Sequence, residues 1–481
     1  MKMEIWKKLK QDNMSLVSFW ILFLIALAAV YAPLIANNKP FVIYTQNRLL
    51  YIDFLDNAQG NAELIVSRLE KGETVPKETV ELTEKSLKNI AAFLTDETMN
   101  QKLGSYPFSE WVENKKLDQL NALRLFLSSL RESPIRKRFF FPLFQILQAN
   151  DIFFMLLLPL IFFLKLMQKK IKFLKSKSFW DLIFFSLILS LAFTFLFTAL
   201  KKEKFDPYAY KKMAFSFEKG EWALFPIIPF GENENILTES SQTPAFFLEK
   251  ERENQQFHVF GTDTNGRDVL ARMVYGARIS MSVGFVSVGI YVLLGIFIGA
   301  LAGYFGGAVD TLISRLIEIM ICFPVFFLIL TVMAFLRPSI FNIMVIIGLT
   351  GWPGIARLMR GEFLRLKNQE FVLAEKALGA SDFRIMFRHI LPNGIQPIII
   401  SATFGIAGAI LTESALSFLG FGVPQPTASW GDILNNGRNN IYKSWWLTVF
   451  PGFFIFLTVT AFNLIGEKLR DILDPKSSRG R

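Results

Sequence analysis

The feature that most constrains this chain is a series of long apolar runs, because about 20 consecutive apolar residues are what an α-helix needs to cross the hydrocarbon core of a membrane. Hydrophobic residues make up 52% of the sequence, and 51 of the 481 residues are phenylalanine. This content is higher than in soluble proteins of this size, and it comes in blocks longer than a buried core helix requires. The sequence therefore predicts an all-α, polytopic membrane protein.

The apolar runs predict about eight transmembrane helices. The first run follows a basic N-terminus, and we interpret it as a retained span because it is long and lacks a convincing signal-peptide cleavage site. The second run is short enough to lie at the membrane interface instead. The predicted spans cover residues 15–36, 152–167, 179–200, 279–303, 311–336, 340–355, 395–411 and 445–465.

The distribution of basic residues predicts the orientation of these spans, since lysine and arginine accumulate in cytoplasmic loops. The segment 165–178 carries six lysines and no acid, the loop 357–393 carries seven lysines and arginines, and the tail 467–481 carries five. With a cytoplasmic N-terminus, eight spans place all three segments on the cytoplasmic face. The sequence therefore predicts that both termini are cytoplasmic.

Polar segments between the spans predict a division into regions. Residues 37–149 have mixed charge, with helical periodicity at 79–95 and 110–131, and predict a mostly helical extracytoplasmic domain. Two roles remain open for it, a spacer or a docking surface. The predicted regions are an N-terminal tail with the first transmembrane helix (1–36), this domain (37–149), an extra transmembrane hairpin (150–200), an extracytoplasmic segment (201–277), a transmembrane domain (278–472) and a cytoplasmic tail (473–481).

Composition argues against several classes of function. The net charge of +11 would suggest nucleic-acid binding in a soluble protein, but here the cytoplasmic loops account for it. With one cysteine and two histidines, the chain can form no intrachain disulfide and is a poor candidate for a His/Cys metal site. We also find no nucleophile–base arrangement, and assign no catalytic, cofactor-binding or metal-binding residue.

The polar loop 357–393 stands out between two apolar spans. Its spacing predicts a short amphipathic helix over 369–380, a turn at Gly379, and a second helical segment over 382–390 that Pro392 ends. Phe371, Leu373 and Leu378 lie on or near one side of the first helix. Spacing alone leaves two interpretations open: a surface that another protein binds, or an ordinary charged connector.

This loop resembles the cytoplasmic coupling loop of bacterial ABC importer permeases, whose signature is Glu-Ala-Ala, three residues, Gly, and then Ile-x-Leu-Pro. Ala374, Gly379 and Leu391-Pro392 are in register with that signature. Leu373 stands at the acid's place, and Glu375 comes two positions later. The run Arg-His-Ile-Leu-Pro-Asn at 388–393 resembles the form found in the peptide/nickel branch.

Two further blocks carry the same resemblance. Residues 258–272 are similar to the His-Pro-Leu-Gly-Thr-Asp-x-x-Gly-Arg-Asp-Val-Leu-Ser-Arg stretch of peptide/nickel permeases, with Val259 and Ala271 as departures. Residues 413–426 are similar to that branch's Glu-Ser-x-Leu-Ser-Phe-Leu-Gly-Leu-Gly-Val-Pro-x-Pro segment, which ends in Ser-Trp-Gly. From about 257 to 472 the chain thus resembles a C-type permease subunit of a peptide/nickel-type ABC importer.

The resemblance implies a type I permease-like helical bundle, with the insertion at 37–256 outside it. It also implies a second permease subunit, two ATP-binding-cassette ATPases and an extracytoplasmic solute-binding protein as partners in the bacterial inner membrane. No Gly-x4-Gly-Lys-Ser/Thr sequence occurs in this chain, so ATP would be hydrolysed on separate subunits. The residues implied in ATPase coupling are Phe371, Leu373, Ala374, Glu375, Lys376, Leu378, Gly379, Leu391 and Pro392.

The cargo implied by the branch is peptides, with nickel and other small solutes left open. The alternatives are a stand-alone secondary transporter or channel, for which Glu318 and Glu413 are the intramembrane candidates, and a membrane enzyme. Glu413, Ser414 and Trp430 are candidates for an external gate in a backbone broken by glycine and proline. A polar contact that stabilises the fold is the equal alternative for Glu413.

Several other patterns predict structure rather than chemistry. We expect Asp263 and Asp268 to hold a turn through pairs with Arg267 and Arg272, and the helix to begin at Asp268. Arg315 and Glu318 are spaced to pair on one helix face, as a structural pair or as part of the pathway. Two further expectations are a kink at Pro324 and close helix packing at Gly295, Gly299 and Gly303.

Overall fold

A computed structural model describes residues 12–44, 52–93, 107–130, 139–168, 179–200, 222–245, 256–438 and 441–473. The chain divides into two compact units, Met1–Asn37 with Phe230–Arg481, and Asn38–Pro229. The basic residues before position 11, most of the lysine-rich loop and the end of the C-terminal tail lie outside the described residues. The orientation that we predicted from them stays a prediction.

The first unit, which we call the bundle, is helical, and its longest helices match the predicted spans. The four longest of these helices extend beyond the apolar runs that predicted them, because their polar ends continue in the same helical register, whereas the first helix ends at Val30, before the predicted end at residue 36. The helices are α1 (Asn13–Val30), α2 (Ala32–Ile35), α10 (Val269–Phe305), α11 (Gly307–Cys322), α12 (Val325–Phe335), α13 (Ile340–Leu366), α14 (Glu370–Ala377), α15 (Asp382–Arg384), α16 (Leu391–Gly394), α17 (Gln396–Phe418), α18 (Trp430–Arg438) and α19 (Trp446–Leu473).

The second unit, which we call the insertion, combines the polar helices and the apolar hairpin. Its helices are α3 (Ile52–Glu70), α4 (Lys77–Phe93), α5 (Phe108–Glu113), α6 (Leu117–Leu130), α7 (Pro142–Ile146), α8 (Ala149–Met167) and α9 (Phe179–Leu200), and its strands are β1 (Val42–Tyr44), β2 (Phe139–Phe140) and β3 (Trp222–Leu224).

By length and apolar composition, the described residues contain seven helices that can cross a membrane, or eight if one bent pair counts as a span. That pair is α11 and α12, which meet at 81° where a single span over 311–336 was expected. Pro324, expected to kink a continuous helix, instead precedes α12 as its N-cap. Because proline cannot donate a backbone N–H, the turn after Cys322 breaks and the second helix starts afresh.

The insertion has a helical core joined to a small antiparallel sheet in the order β2-β1-β3. Ile43 of the central strand is buried, and its backbone pairs with Phe140 on one side and Ala223 on the other. The core is made by buried apolar side chains of α3, α4, α5 and α6, including Leu55, Ile65, Leu87, Ile90, Phe108 and Leu120. The all-α prediction therefore holds for most of the chain but missed this sheet, whose strands are too short to show an alternating pattern.

The two helices of the predicted apolar hairpin, α8 and α9, pack along each other. Ser186, Ser190 and Thr194 recur every four residues on α9 and are buried. The Ser190 hydroxyl donates to the Phe153 carbonyl of α8 over 2.7 Å, which joins the two helices. Phenylalanines such as Phe162, Phe184 and Phe195 point away from the pair and are exposed, as expected of side chains that meet lipid.

The closest helix contact in the bundle is between α10 and α13, as the glycine spacing predicted. A Cβ added at Gly295 would lie 2.5 Å from Ile355 Cβ, and one at Gly303 would lie 2.6 Å from the Arg360 carbonyl oxygen. An added Cβ at Gly299 would overlap the carbonyl oxygen of Ala356. The three glycines therefore let the two backbones meet directly, as small residues do in membrane helix pairs.

We expect Gly299→Val to destabilise the bundle, because the new side chain cannot enter the contact with Ala356 without separating α10 from α13. Overpacking of this kind costs about 1–3 kcal/mol. Gly289→Val on the same helix is the matched control, since an added Cβ there meets nothing within 4 Å. Thermal unfolding of the detergent-purified chain should show a lower midpoint for the Gly299 variant only. Equal midpoints for both variants would contradict the close contact.

Candidate functional site

The polar loop between α13 and α17 begins with the short helix α14, close to the predicted helix over 369–380. The helix ends in a Schellman motif: the N–H of Gly379 donates to the Lys376 carbonyl, and the N–H of Ala380 donates to the Glu375 carbonyl. Gly379 has a φ of +80°, which L-residues with a side chain adopt only with strain. The turn predicted at Gly379 is therefore present, and its left-handed backbone favours glycine.

Helix α14 packs on the bundle through one buried side chain, and most of its other side chains are exposed. Val372 is buried with 3% of its surface exposed, whereas Phe371, Leu373 and Leu378 are 39%, 53% and 82% exposed. Ala374 and Lys376 are exposed as well, and Glu375 Oε1 lies 3.6 Å from His389 Nδ1. The predicted coupling residues of α14 thus form one accessible apolar and charged surface, which we call the α14 surface.

The second part of the loop differs from the prediction. Pro392 was expected to end the helix over 382–390, but the chain stays helical from α15 through a π-helix, Ile385–Ile390, into α16. The N–H of Leu391 bonds to the Met386 carbonyl, so the wider turn leaves a place for Pro392, which has no N–H to donate. Leu391 is half-buried and Pro392 is exposed. The side chains that bury this segment are Ile385, Met386 and Ile390.

Two polar contacts attach the loop to the end of α10, and a third joins α13 to α11. The Tyr304 hydroxyl donates to Asp382 Oδ1 over 2.6 Å, and Lys367 Nζ donates to the Gly303 carbonyl over 2.9 Å. Arg360 Nη2 donates to Asp310 Oδ2 over 2.7 Å, which adds α11 to the same end. The sequence did not predict these pairs, because partners far apart in sequence leave no periodic signal.

A second polar cluster lies at the N-terminus of α10. Asp268 caps this helix, since Oδ1 accepts from the Ala271 N–H over 2.6 Å. The ring of His258 is fully buried, with Nδ1 2.7 Å from Asp268 Oδ2 and Nε2 2.9 Å from Glu239 Oε2. Burial alone would lower the pKa of His258, but the hydrogen bonds to Asp268 and Glu239 outweigh it and raise the pKa above its usual value.

The same cluster contains the expected arginines in a partly different pairing. Arg267 Nε donates to Asp263 Oδ2 over 2.6 Å, as predicted. Arg272, by contrast, is buried and donates to Asp432 Oδ2 of α18 over 2.7 Å. Burial raises the pKa of Asp432, against the opposing effect of the Arg272 guanidinium. Asp268 pairs with His258 rather than with an arginine, a partner that the spacing of acids and bases did not reveal.

The gate candidates lie inside the bundle. Glu413 is fully buried within the regular helix α17, where its carboxylate accepts from the hydroxyls of Ser280 over 3.1 Å and Ser417 over 2.8 Å. Ser414 is also buried, and the Trp430 indole donates to the Met273 carbonyl over 3.0 Å. The backbone is a regular helix up to Phe418 and is broken over 419–429, where the glycines and prolines of the expected broken stretch lie. This geometry favours the alternative of a polar contact that stabilises the fold.

The other expected pair, Arg315 and Glu318, forms on α11 with Nη1 and Oε2 2.5 Å apart, and both side chains are exposed. Among the residues that the structure describes, no group of three or more His, Cys, Asp and Glu side chains is arranged to hold a metal ion.

Comparison with known proteins places this geometry in a family. The sequence model of the binding-protein-dependent transport system inner membrane component matches residues 295–479. The chain is 46% identical over 219 residues to the dipeptide transport system permease protein DppC of Alkalihalophilus pseudofirmus, a match that covers 46% of this chain and 72% of that protein. The chain belongs to the family of inner membrane components of binding-protein-dependent transport systems.

Other members of the family agree with this assignment. The chain is 45% identical over 223 residues to DppC of Bacillus subtilis, covering 46% of this chain and 70% of that protein. It is 44% identical over 220 residues to the oligopeptide transport system permease protein OppC of Haemophilus influenzae, a match that covers 46% of this chain and 71% of that protein.

The family assignment also extends the resemblance to the N-terminus. The model of the N-terminal transmembrane domain of oligopeptide transport permease C matches residues 3–57, beyond the region in which we had recognised the family. The chain is thus a multi-pass inner membrane permease subunit with a type I importer-like helical bundle. This assignment supports an ABC importer subunit over a stand-alone secondary transporter or channel.

We expect Glu413→Gln to keep the stability and transport activity of the protein, because glutamine preserves the side-chain shape and can bond to both Ser280 and Ser417. Glu413→Ala should lower the unfolding midpoint, since it leaves a cavity and buried hydroxyls without an acceptor, at a cost of about 1–3 kcal/mol. Thermal unfolding and uptake measured on both variants check this. A Gln variant that folds normally but no longer transports would instead show that the carboxylate acts in the pathway.

Proposed function

We propose that this chain forms half of the translocation pathway of a peptide importer and couples it to separate ATPase subunits. The α14 surface carries the proposal, because it leaves Phe371, Leu373 and Leu378 exposed on a helix that the buried Val372 attaches to the bundle. The cargo that we propose comes from the similar proteins, which are named as dipeptide and oligopeptide transport permeases. Nickel or another small solute would use the same machinery with a different binding protein.

In this proposal α14 inserts into a groove of an ATP-binding-cassette subunit, as amphipathic helices do in protein grooves. The exposed apolar side chains supply the contact area. Glu375 and Lys376 match charges on the ATPase, and Ala374 lets the helix approach closely. Gly379 sets the direction in which the helix leaves the groove, and Leu391 and Pro392 support the base of the loop.

Motion of α14 would reach the pathway through the contacts at the base of the loop. The Tyr304–Asp382 and Lys367–Gly303 hydrogen bonds join the loop to α10 and α13, which the glycine contact holds together. We infer that nucleotide-driven closure of the ATPases moves these helices as a rigid body. Such a movement switches a transporter between outward-open and inward-open states.

The predicted orientation of the chain in the membrane follows if α11 and α12 together count as one span. Eight spans place the basic loop 357–393 and both termini in the cytoplasm, in keeping with the positive-inside rule. Regions 37–149 and 201–277 then face the extracytoplasmic side, with the hairpin at 150–200 between them. The His258 cluster lies on that same side, where a solute-binding protein would deliver the cargo.

The complete transporter would contain a second permease, two ATPases and the solute-binding protein. The proposed set of partners includes no nucleic acid. A gating role for Glu413, Ser414 and Trp430 remains the alternative to the structural role that their burial supports.

We predict that Gly379→Leu inserts into the membrane at the normal level but abolishes most ATP-driven uptake. Any side chain at a φ of +80° strains the backbone by about 1–2 kcal/mol, so the Schellman turn rearranges and α14 changes direction. Steric collision is not the cause, because an added Cβ meets nothing within 4 Å. Uptake by vesicles, normalised to the membrane level of the protein, provides the measurement.

Gly379→Asn is the matched control, because asparagine tolerates the left-handed conformation better than leucine does. It should retain most of the uptake that Gly379→Leu loses. Wild-type uptake in the leucine variant would refute the coupling role of this turn. Equal loss in both variants would show that the site needs the small size of glycine rather than its conformation.

A further inference from the structure

The small sheet of the insertion packs one face on the helical core. Ile43 of β1 lies directly opposite Ala223 of β3, and both side chains contact the apolar core formed by α3, α4, α5 and α6. Directly opposite residues on antiparallel strands place their side chains on the same face of the sheet. Ile43 and Ala223 therefore mark the inner face.

The outer face of the sheet is apolar as well. Val42 pairs with Leu224 and Tyr44 pairs with Trp222, so these four side chains lie on the face opposite to Ile43. Trp222 and Leu224 are 47% and 55% exposed, and the centroids of the Tyr44 and Trp222 rings are 6.1 Å apart. An antiparallel sheet whose second face meets water normally carries polar side chains there. The composition of the outer face thus indicates surroundings less polar than water.

Two further exposed rings lie next to this face, at α7. The Leu143 N–H donates to the Pro40 carbonyl over 3.2 Å, and the N–H of the residue after Pro40 donates to the Leu224 carbonyl over 2.7 Å. Leu143 is buried, whereas Phe141 and Phe144 on either side of it are exposed, with ring centroids 6.5 Å apart. We call the combined surface the sheet patch, which comprises Val42, Tyr44, Phe141, Phe144, Trp222 and Leu224.

The position of α8 indicates what covers the sheet patch. Two residues separate α7 from α8, which is long and apolar enough to cross a membrane. Five residues lead from Phe144 to Ala149 at the start of α8, at most about 18 Å of chain. Tryptophan and tyrosine favour the boundary between lipid and water, because their rings are apolar and their N–H or O–H group is polar. The chain therefore places an aromatic surface beside the point where α8 enters the membrane.

We propose that the sheet patch lies on the lipid bilayer, at the boundary of headgroups and acyl chains on the side of the membrane where α8 begins. Leu224 and the rings of Phe141 and Phe144 contact the upper part of the acyl chains, and the polar ends of Tyr44 and Trp222 remain among the headgroups. This contact holds the helical core of the insertion at the membrane surface. It depends on neither the cargo nor the ATPase partners.

Depth-dependent fluorescence quenching on the full-length chain tests the proposal. A polarity-sensitive nitrobenzoxadiazole probe is attached to Leu224→Cys in a Cys322→Ala background, and the protein is reconstituted in phosphatidylcholine bilayers. We expect the emission to shift to shorter wavelength, and lipids spin-labelled near the headgroup to quench it more than lipids spin-labelled at the chain end. Phe144→Cys should give the same result at a second position of the sheet patch, and it carries the test if the Leu224 variant does not fold.

Two control positions calibrate the measurement. Leu158→Cys replaces an exposed residue in the middle of α8, so lipids labelled at the chain end should quench its probe more strongly. Leu125→Cys is the matched control, because it replaces an exposed leucine of the same unit on α6 rather than on the sheet. Its emission should stay at long wavelength, with little quenching by either lipid.

Two results would overturn the proposal. If probes at Leu224 and Phe144 behave like the one at Leu125, the sheet patch faces water. If their emission shifts to shorter wavelength but neither spin-labelled lipid quenches it, a protein surface covers the sheet patch instead of lipid.

Discussion

The close contact between α10 and α13 is the constraint on which the rest of the bundle depends. Gly295, Gly299 and Gly303 bring the two backbones together, so both helices end at the same place. This proximity lets Lys367 reach the last carbonyls of α10, and it lets Tyr304 reach Asp382 at the start of the next helical segment. The loop that follows α13 is therefore attached to two membrane helices at once.

The loop combines a fixed base with an accessible tip, which is what a mechanical connector requires. Its base is held by buried side chains, among them Val372, Ile385 and Ile390. Because these side chains are closely packed, a force on the loop is transmitted to the helices of the bundle. Its tip, the α14 surface, exposes apolar side chains that a soluble surface would normally cover. At the opposite end of α10, the buried pairs of His258, Arg267 and Arg272 hold the helix start in a similarly rigid way.

Local patterns in the sequence predicted the features that local physics determines. Apolar length located the spans, and glycine spacing located both the α10–α13 contact and the turn at Gly379. Features that depend on distant partners were missed or misjudged: the π-turn that accommodates Pro392, the break between α11 and α12, the three-stranded sheet, and the pairing of His258 with Glu239 and Asp268. Glu413 shows the same limit, because its sequence context did not reveal the serines from two helices that surround it in the structure.

The central claim is that the α14 surface faces the cytoplasm and is covered by an ATPase subunit, and site-directed labelling tests it most directly. Cys322 is the one cysteine in the chain, so Leu378→Cys in a Cys322→Ala background places a single thiol on that surface. A membrane-impermeant maleimide should label it in inside-out vesicles but not in right-side-out ones, and co-expression of the ATPase subunits should protect it. Labelling in right-side-out vesicles, or labelling that the ATPases leave unchanged, would contradict the account.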